Sequence, residues 1–216
     1  MVRILHIKLR RGRPERFLVT LEDESELIFS PETVLKYQFH PEKEFSQEEF
    51  RAILKEDSGI RAKDQALRYL EMRPHSEREI RQKLRRKGYS AASIDTAVGR
   101  LRRIDLLNDE QFARLFIQNE LRLRPCGKQL LRQKLFARGI PRELGDPLLE
   151  KYYDEFPEER VARKLADKYL RGKRWEPRKK REKLVRFLQG KGFSWEVIRE
   201  VVNETNFAAT DSDGRS

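Results

Sequence analysis

The chain has 216 residues and a formal net charge of +12, with 39% of its side chains charged and only 38% hydrophobic. So thin a core against so charged a surface argues for an elongated assembly of small packed units over one large globule. With 11 glycines and 9 prolines, a linker-rich or collagen-like chain is excluded. No apolar stretch approaches the ~20 residues that span a bilayer. The opening MVRILHIKLRRGR has no apolar core of a secretory signal. The single cysteine, Cys126, forms no intrachain disulfide. A soluble, cytoplasmic protein of a reducing compartment is therefore expected. The charge is uneven: residues 1–60 carry 10 basic and 12 acidic side chains, and residues 61–216 carry 38 and 24. A single-sign excess of that size favours a polyanion or an acidic protein surface as partner.

The first elements read as a small sheet. Ile4–Leu9, then Phe17, Val19 and Leu21, then Leu27–Phe29 alternate apolar with polar around the turn Glu22–Ser25. Ser30-Pro31-Glu32 reads as a helix N-cap followed by proline at the first helical position. Ser46-Gln47-Glu48-Glu49 reads as a capping box opening a short helix with Phe50, Ile53 and Leu54 on its apolar face. Residues 1–60 are thus expected to form an N-terminal α/β module.

Beyond Gly59 the pattern is helical and repeats. KLRRKGY (83–89), KLFARGI (134–140) and FLQGKGF (187–193) align Leu84, Leu135 and Leu188 with Gly88, Gly139 and Gly192. A glycine followed by an apolar residue is the expected left-handed cap at a helix C-terminus. Apolar faces before and after each cap complete three helices per unit: Ala66, Leu67 and Leu70 precede the first cap, and Ile94, Val98 and Leu101 follow it. The predicted fold class is mainly α: a tandem of three three-helix repeats at 61–107, 108–153 and 154–204, preceded by a β-hairpin/helix module. Residues 205–216 lack periodicity and read as a disordered tail.

Catalytic signatures are missing. The chain has no phosphate-binding GxxxxGK[ST], no GxSxG, no HExxH and no cysteine pair for zinc. His6, His40 and His75 have no metal-like spacing, so no cofactor and no metal are expected. Gly190-Lys191-Gly192 ends a helix and reads as a C-cap, where a phosphate loop would open one. The basic stretches are more informative. Residues 81–87 carry five positive charges, and Arg78, Arg81 and Arg85 share one face, opposite Ile80 and Leu84. No acidic residue stands between Arg81 and Ser90, where a purely solvated face would mix signs. Arg86 adjoins this row, and Lys128 and Arg132 begin a sparser one. Residues 171–183 add eight positive charges against two negative, among them Arg174, Lys179 and Lys180, with Trp175 between them. Trp175 reads either as loop packing or as a platform for a base. These nine cations are the candidate partner-binding residues.

The Ala66–Leu70 segment, the Ser76–Ile80 cap, the KLRRKGY end, Asn108–Ala113, the QKLFARGI run and RFLQGKGFSWEVI (186–198) together resemble the RecX family of RecA regulators. The resemblance implies a non-enzymatic, monomeric protein that binds the RecA–DNA filament and modulates RecA ATPase, strand exchange and co-protease activity. That would place it in recombinational DNA repair and the SOS response, with DNA contacted weakly, directly or through the filament. The rival reading is a sequence-independent DNA-binding helical protein that acts without RecA.

Overall fold

The computed structural model describes residues 1–12 and 14–207. The chain divides into two compact units, Met1–Asn108 and the residues from Asp109 onward. The first unit opens with β1 (Val2–Arg10), β2 (Arg16–Leu21) and β3 (Glu26–Phe29). All three pair antiparallel, with Ile7 opposite Val19 and Leu18 opposite Ile28. At the turn between β2 and β3, Glu24 takes φ 62° and the Asp23 carboxylate accepts from the Ser25 N–H at 3.0 Å. A fourth strand, β4 (Glu44–Phe45), adds to the free edge of β1, giving the order β3-β2-β1-β4. Two residues are too few to show an alternation, so this strand has no periodic signal.

One face of the sheet is closed by α1 (Pro31–Lys36) and the start of α2 (Gln47–Met72), around Ile4, Val19, Phe29, Phe45, Phe50 and Ile53. Phe29 meets the Phe39 ring nearly edge-on, with centroids 5.0 Å apart. Ser30 caps α1 by accepting from the Thr33 N–H at 3.2 Å, and Pro31 stands at the first turn. Ser46 and Glu49 form the full reciprocal box at the start of α2, at 3.1 and 2.8 Å.

Helix α2 is not short. It runs 26 residues, straight through Gly59, and becomes the first helix of the first repeat. Its early apolar residues, Phe50 and Ile53, serve the sheet; its later ones, Ala62 and Ala66, enter a helical core. Gly59 does not break it because its role is close approach: a Cβ there would lie 3.0 Å from the Thr96 side chain. Between the two halves sits Asp57, fully buried. Its carboxylate accepts from the Ser30 N–H and the Thr33 hydroxyl, both at 2.8 Å, and pairs with Arg61 Nε at 2.7 Å. This one side chain ties α1 to α2. Asp57→Asn keeps an acceptor but loses the ion pair, and is expected to cost about 2 kcal/mol in chemical denaturation. Unchanged stability would show that the node carries no weight.

The first repeat is completed by α3 (Glu77–Arg86) and α4 (Ala91–Arg103), packed with α2 around Ile80, Leu84, Ile94, Val98 and Leu101. The second unit holds α5 (Asp109–Leu123), α6 (Lys128–Ala137) and α7 (Arg142–Glu155), then α8 (Glu158–Leu170), α9 (Pro177–Gly190) and α10 (Trp195–Glu204). Each trio has its own core, centred on Leu131 and Leu135 in one and on Leu184 and Leu188 in the other. Phe207 packs against the last of these; residues 208–216 of the expected tail lie outside the described residues.

The repeated sequence signal is a repeated hydrogen-bond motif. Gly88, Gly139 and Gly192 have φ of 84°, 89° and 77°. In each case the next residue's N–H returns to the aligned leucine: Tyr89 to Leu84 at 3.3 Å, Ile140 to Leu135 at 3.1 Å, Phe193 to Leu188 at 3.3 Å. The glycine N–H bonds three residues back at 2.9 Å every time. This is the Schellman arrangement, with its apolar contact between the leucine and the residue after glycine.

Within the second unit, the third cap is also a joint. The Gly127 N–H donates to the Lys191 carbonyl at 2.8 Å, and the Lys128 N–H donates to the Glu158 carboxylate at 2.8 Å. Gly127 is the N-cap of α6 and has no side chain to offer, so Glu158 from the start of α8 satisfies the next orphan N–H. Burial pushes the Glu158 carboxyl above the usual range.

Candidate functional site

Helix α3 presents the densest cations. Ser76, fully buried, caps it by accepting from the Glu79 N–H at 3.2 Å. Ser76→Ala is expected to lose about 1 kcal/mol of stability in denaturant titration. From that fixed start, Ile80 and Leu84 face the core and the polar residues face out. Lys83, Arg85 and Arg86 fall in the last turn, where the helix dipole favours positive charge.

The row splits into two kinds of cation. Arg81 is half-buried and held: Nε lies 2.8 Å from Glu77 and NH1 lies 2.5 Å from Asp95 of α4. Burial opposes its charge, but the two carboxylates outweigh burial and raise its pKa. The partners that the local sequence lacks thus come from outside the 82–90 window. Arg78 is exposed and is itself engaged within the fold. Arg85 and Arg86 are exposed and make no ion pair among the described residues, and the same is true of Lys87 beside them.

In the second unit, Lys128 pairs with Glu150, and Arg132 Nε lies 2.6 Å from Asp146, both acids on α7. These two cations staple α6 to α7. Helix α9 differs. It has 14 residues where α3 and α6 have 10, and the extra length lies at its N-terminus. Its first turn holds no acid. Behind an acidic N-cap, Glu176, it carries Arg178, Lys179 and Lys180, with Arg181 next, against the sense of the helix dipole. Among the described residues only Arg178 of these four has an ion-pair partner, Glu182 at 3.5 Å, while Lys179 and Arg181 are exposed. Arg174, in the preceding loop, is exposed and engaged within the fold. Trp175 is not an open platform. Its ring meets Tyr169 at 5.9 Å, and Lys183 and Lys173 lie over it at 4.2 and 5.6 Å.

Of the remaining chemistry-bearing residues, Cys126 and His75 are inward, whereas His6 and His40 are exposed. Cys126 is buried, and burial pushes its thiol up, away from thiolate. His75 is buried with Nδ1 on the Arg73 carbonyl at 2.8 Å, and burial pulls its imidazole down. Among the described residues, no group of three or more His, Cys, Asp or Glu is placed to hold a metal, and no helix is long and apolar enough to cross a membrane. Of the nine candidates, Arg85, Arg86 and Lys179 are exposed without an ion-pair partner among the described residues, and Lys180 is half-buried; Lys87 and Arg181, outside the nine, are exposed beside them.

Comparison with known proteins finds one family in three consecutive segments. Models of the first, second and third three-helix domains of RecX match residues 62–101, 108–146 and 157–202. Regulatory protein RecX of Clostridium beijerinckii is 30% identical over 207 residues, covering 94% of this chain and 96% of its own length. Its counterpart in Chlorobaculum tepidum is 35% identical over 141 residues, covering 65% and 86%. A crystal structure of regulatory protein RecX aligns with a TM-score of 0.71 at 22% identity, over 94% of this chain and all of that one. RecX from Lactobacillus salivarius aligns at 0.59 and 24% identity, over 68% and 96%. The three domain matches in order, together with 30% identity over nearly the whole length of a RecX relative, place the chain in the RecX family.

Proposed function

We propose that this protein is a non-enzymatic regulator of RecA that binds the RecA–DNA filament as a monomer in the cytoplasm. In this reading it restrains the filament's ATPase, strand exchange and co-protease activities. Family membership supplies the partner. The observation that carries the binding chemistry is the first turn of α9. Cations there oppose the helix dipole, and apart from Arg178 with Glu182 they form no ion pair among the described residues, an arrangement that favours an external anion. Arg85, Arg86 and Lys87 offer a second open cluster on α3. A filament built on DNA presents phosphates at regular intervals, and such cations meet them without reading bases.

The test is RecA ATPase on single-stranded DNA with substoichiometric protein added. Suppression well beyond the molar ratio is expected, because one bound regulator affects many protomers. Tight binding to bare DNA with no change in RecA turnover would favour the rival reading, a helical DNA-binding protein that acts alone.

A further inference from the structure

The second unit contains a groove unrelated to the open cations. It has a volume of about 620 Å³ and lies between α5, the end of α7 and α8. Its floor is aliphatic and aromatic: Leu121, Tyr152, Val161 and Leu165, with Phe156 at the lip and still 53% exposed. Val161 and Leu165 are apolar residues of the third repeat, yet both remain only half-buried, because this part of their face opens into the groove. Three cations stand around that floor: Arg122 on α5, and Lys164 and Lys168 one turn apart on α8. All three are exposed, and none has an ion-pair partner among the described residues. Like charges at i, i+4 repel, so Lys164 and Lys168 do not support each other on α8, although Lys168 in its last turn agrees with the helix dipole. Among the described residues the only acid lining the groove is Glu155.

We propose that this groove is a docking site for an acidic peptide segment of a partner protein that inserts one or two large apolar side chains. An apolar trough of this volume accepts the anchors of an amphipathic segment at helical spacing. The cationic rim fits carboxylates on either side of those anchors and disfavours a basic or neutral segment. A nucleic acid would meet the same cations, but Leu121, Val161 and Leu165 form a branched aliphatic trough suited to apolar side chains, and only Tyr152 and Phe156 offer a ring to a base. The site is chemically distinct from the α9 first turn and stands or falls separately from the filament reading.

The experiment is fluorescence anisotropy with the full-length protein and a short fluorescein-labelled peptide of Asp and Glu carrying Phe and Leu at i and i+4. Saturable binding is expected, weakened at least about tenfold by Lys164→Glu with Lys168→Glu and by Phe156→Ala. All three positions are exposed, and circular dichroism verifies the fold. Replacing Phe and Leu of the peptide by Ser should abolish binding. Arg85→Glu with Arg86→Glu should leave it unchanged, which separates this site from the phosphate-facing cations. No saturable binding to the wild type, or equal binding of the Ser-substituted peptide, overturns the proposal. So does oligothymidylate binding that is lost in the Lys164→Glu, Lys168→Glu variant, which would make the groove a nucleic-acid site.

Discussion

Gly192→Ala is expected to destabilise the second unit by about 4 kcal/mol, whereas Gly88→Ala costs the first unit only about 1–2 kcal/mol. Both glycines occupy the same place in the same cap, with φ of 77° and 84°. Alanine in that left-handed region carries the same backbone strain at either site. The difference is what lies opposite. Nothing stands within 4 Å of a Cβ at Gly88. A Cβ at Gly192 would run into the Leu130 Cβ and lie 2.6 Å from the Leu130 backbone nitrogen. A flexible side chain could turn aside, but the backbone at the start of α6 cannot move without breaking the Gly127–Lys191 hydrogen bond. Gly127→Ala tests the same contact from the other side. Its φ of −73° suits any residue, so its whole cost, about 2–3 kcal/mol, comes from the collision with the Gly192 carbonyl. Urea denaturation of the three variants decides the matter. Equal losses at Gly88 and Gly192 would mean that the joint between the second and third helical trios is loose.

That joint also shows what the sequence could reveal and what it could not. The three-repeat plan was legible because a Schellman cap imposes its own spelling: a core leucine, a glycine four residues on, and an apolar residue next. The caps at Ser30, Ser46 and Ser76 were legible for the same reason, each being a local bond between residues three apart. Gly59 and Gly127 were not. Gly59 looks like a break until Thr96 is seen against it, and Gly127 looks like a loop residue until Gly192 is seen against it. Whether a glycine interrupts a helix or admits a neighbour depends on tertiary contacts that no local window contains.

The same limit governs the basic residues. Counting charges marks basic segments but cannot sort the cations within them. Asp95 lies 14 residues from Arg81, Asp146 14 from Arg132, and Glu150 22 from Lys128. Those ion pairs close only when neighbouring helices pack, and they turn three of the nine candidate cations into structural links. Reversing Arg81 would set a carboxylate between Glu77 and Asp95 and disturb the α3–α4 packing, so it is a poor probe of binding. The cationic first turn of α9 is the better one.

Changing Lys179 and Arg181 together to glutamate is expected to do two opposite things. Inhibition of RecA ATPase should weaken at least about tenfold, and the salt dependence of binding to the RecA–DNA filament should become shallower by about two log–log units, one for each phosphate that no longer meets a cation. The protein itself should become slightly more stable, by up to about 0.5 kcal/mol. Acid at 179, in the first turn, agrees with the dipole and would face Lys183 in the favourable i, i+4 order, a gain partly offset by Glu176 and Glu182 three residues to either side. A structural role for these cations predicts the reverse stability change, so the two measurements read together are decisive. Both residues are exposed and have no ion-pair partner among the described residues, which leaves the Leu184–Leu188 core untouched. A variant that inhibits as strongly as wild type would remove α9 from the contact surface. A variant that loses both inhibition and stability would mean that the cations hold the helix in place by interactions within the fold, and that the filament is met elsewhere.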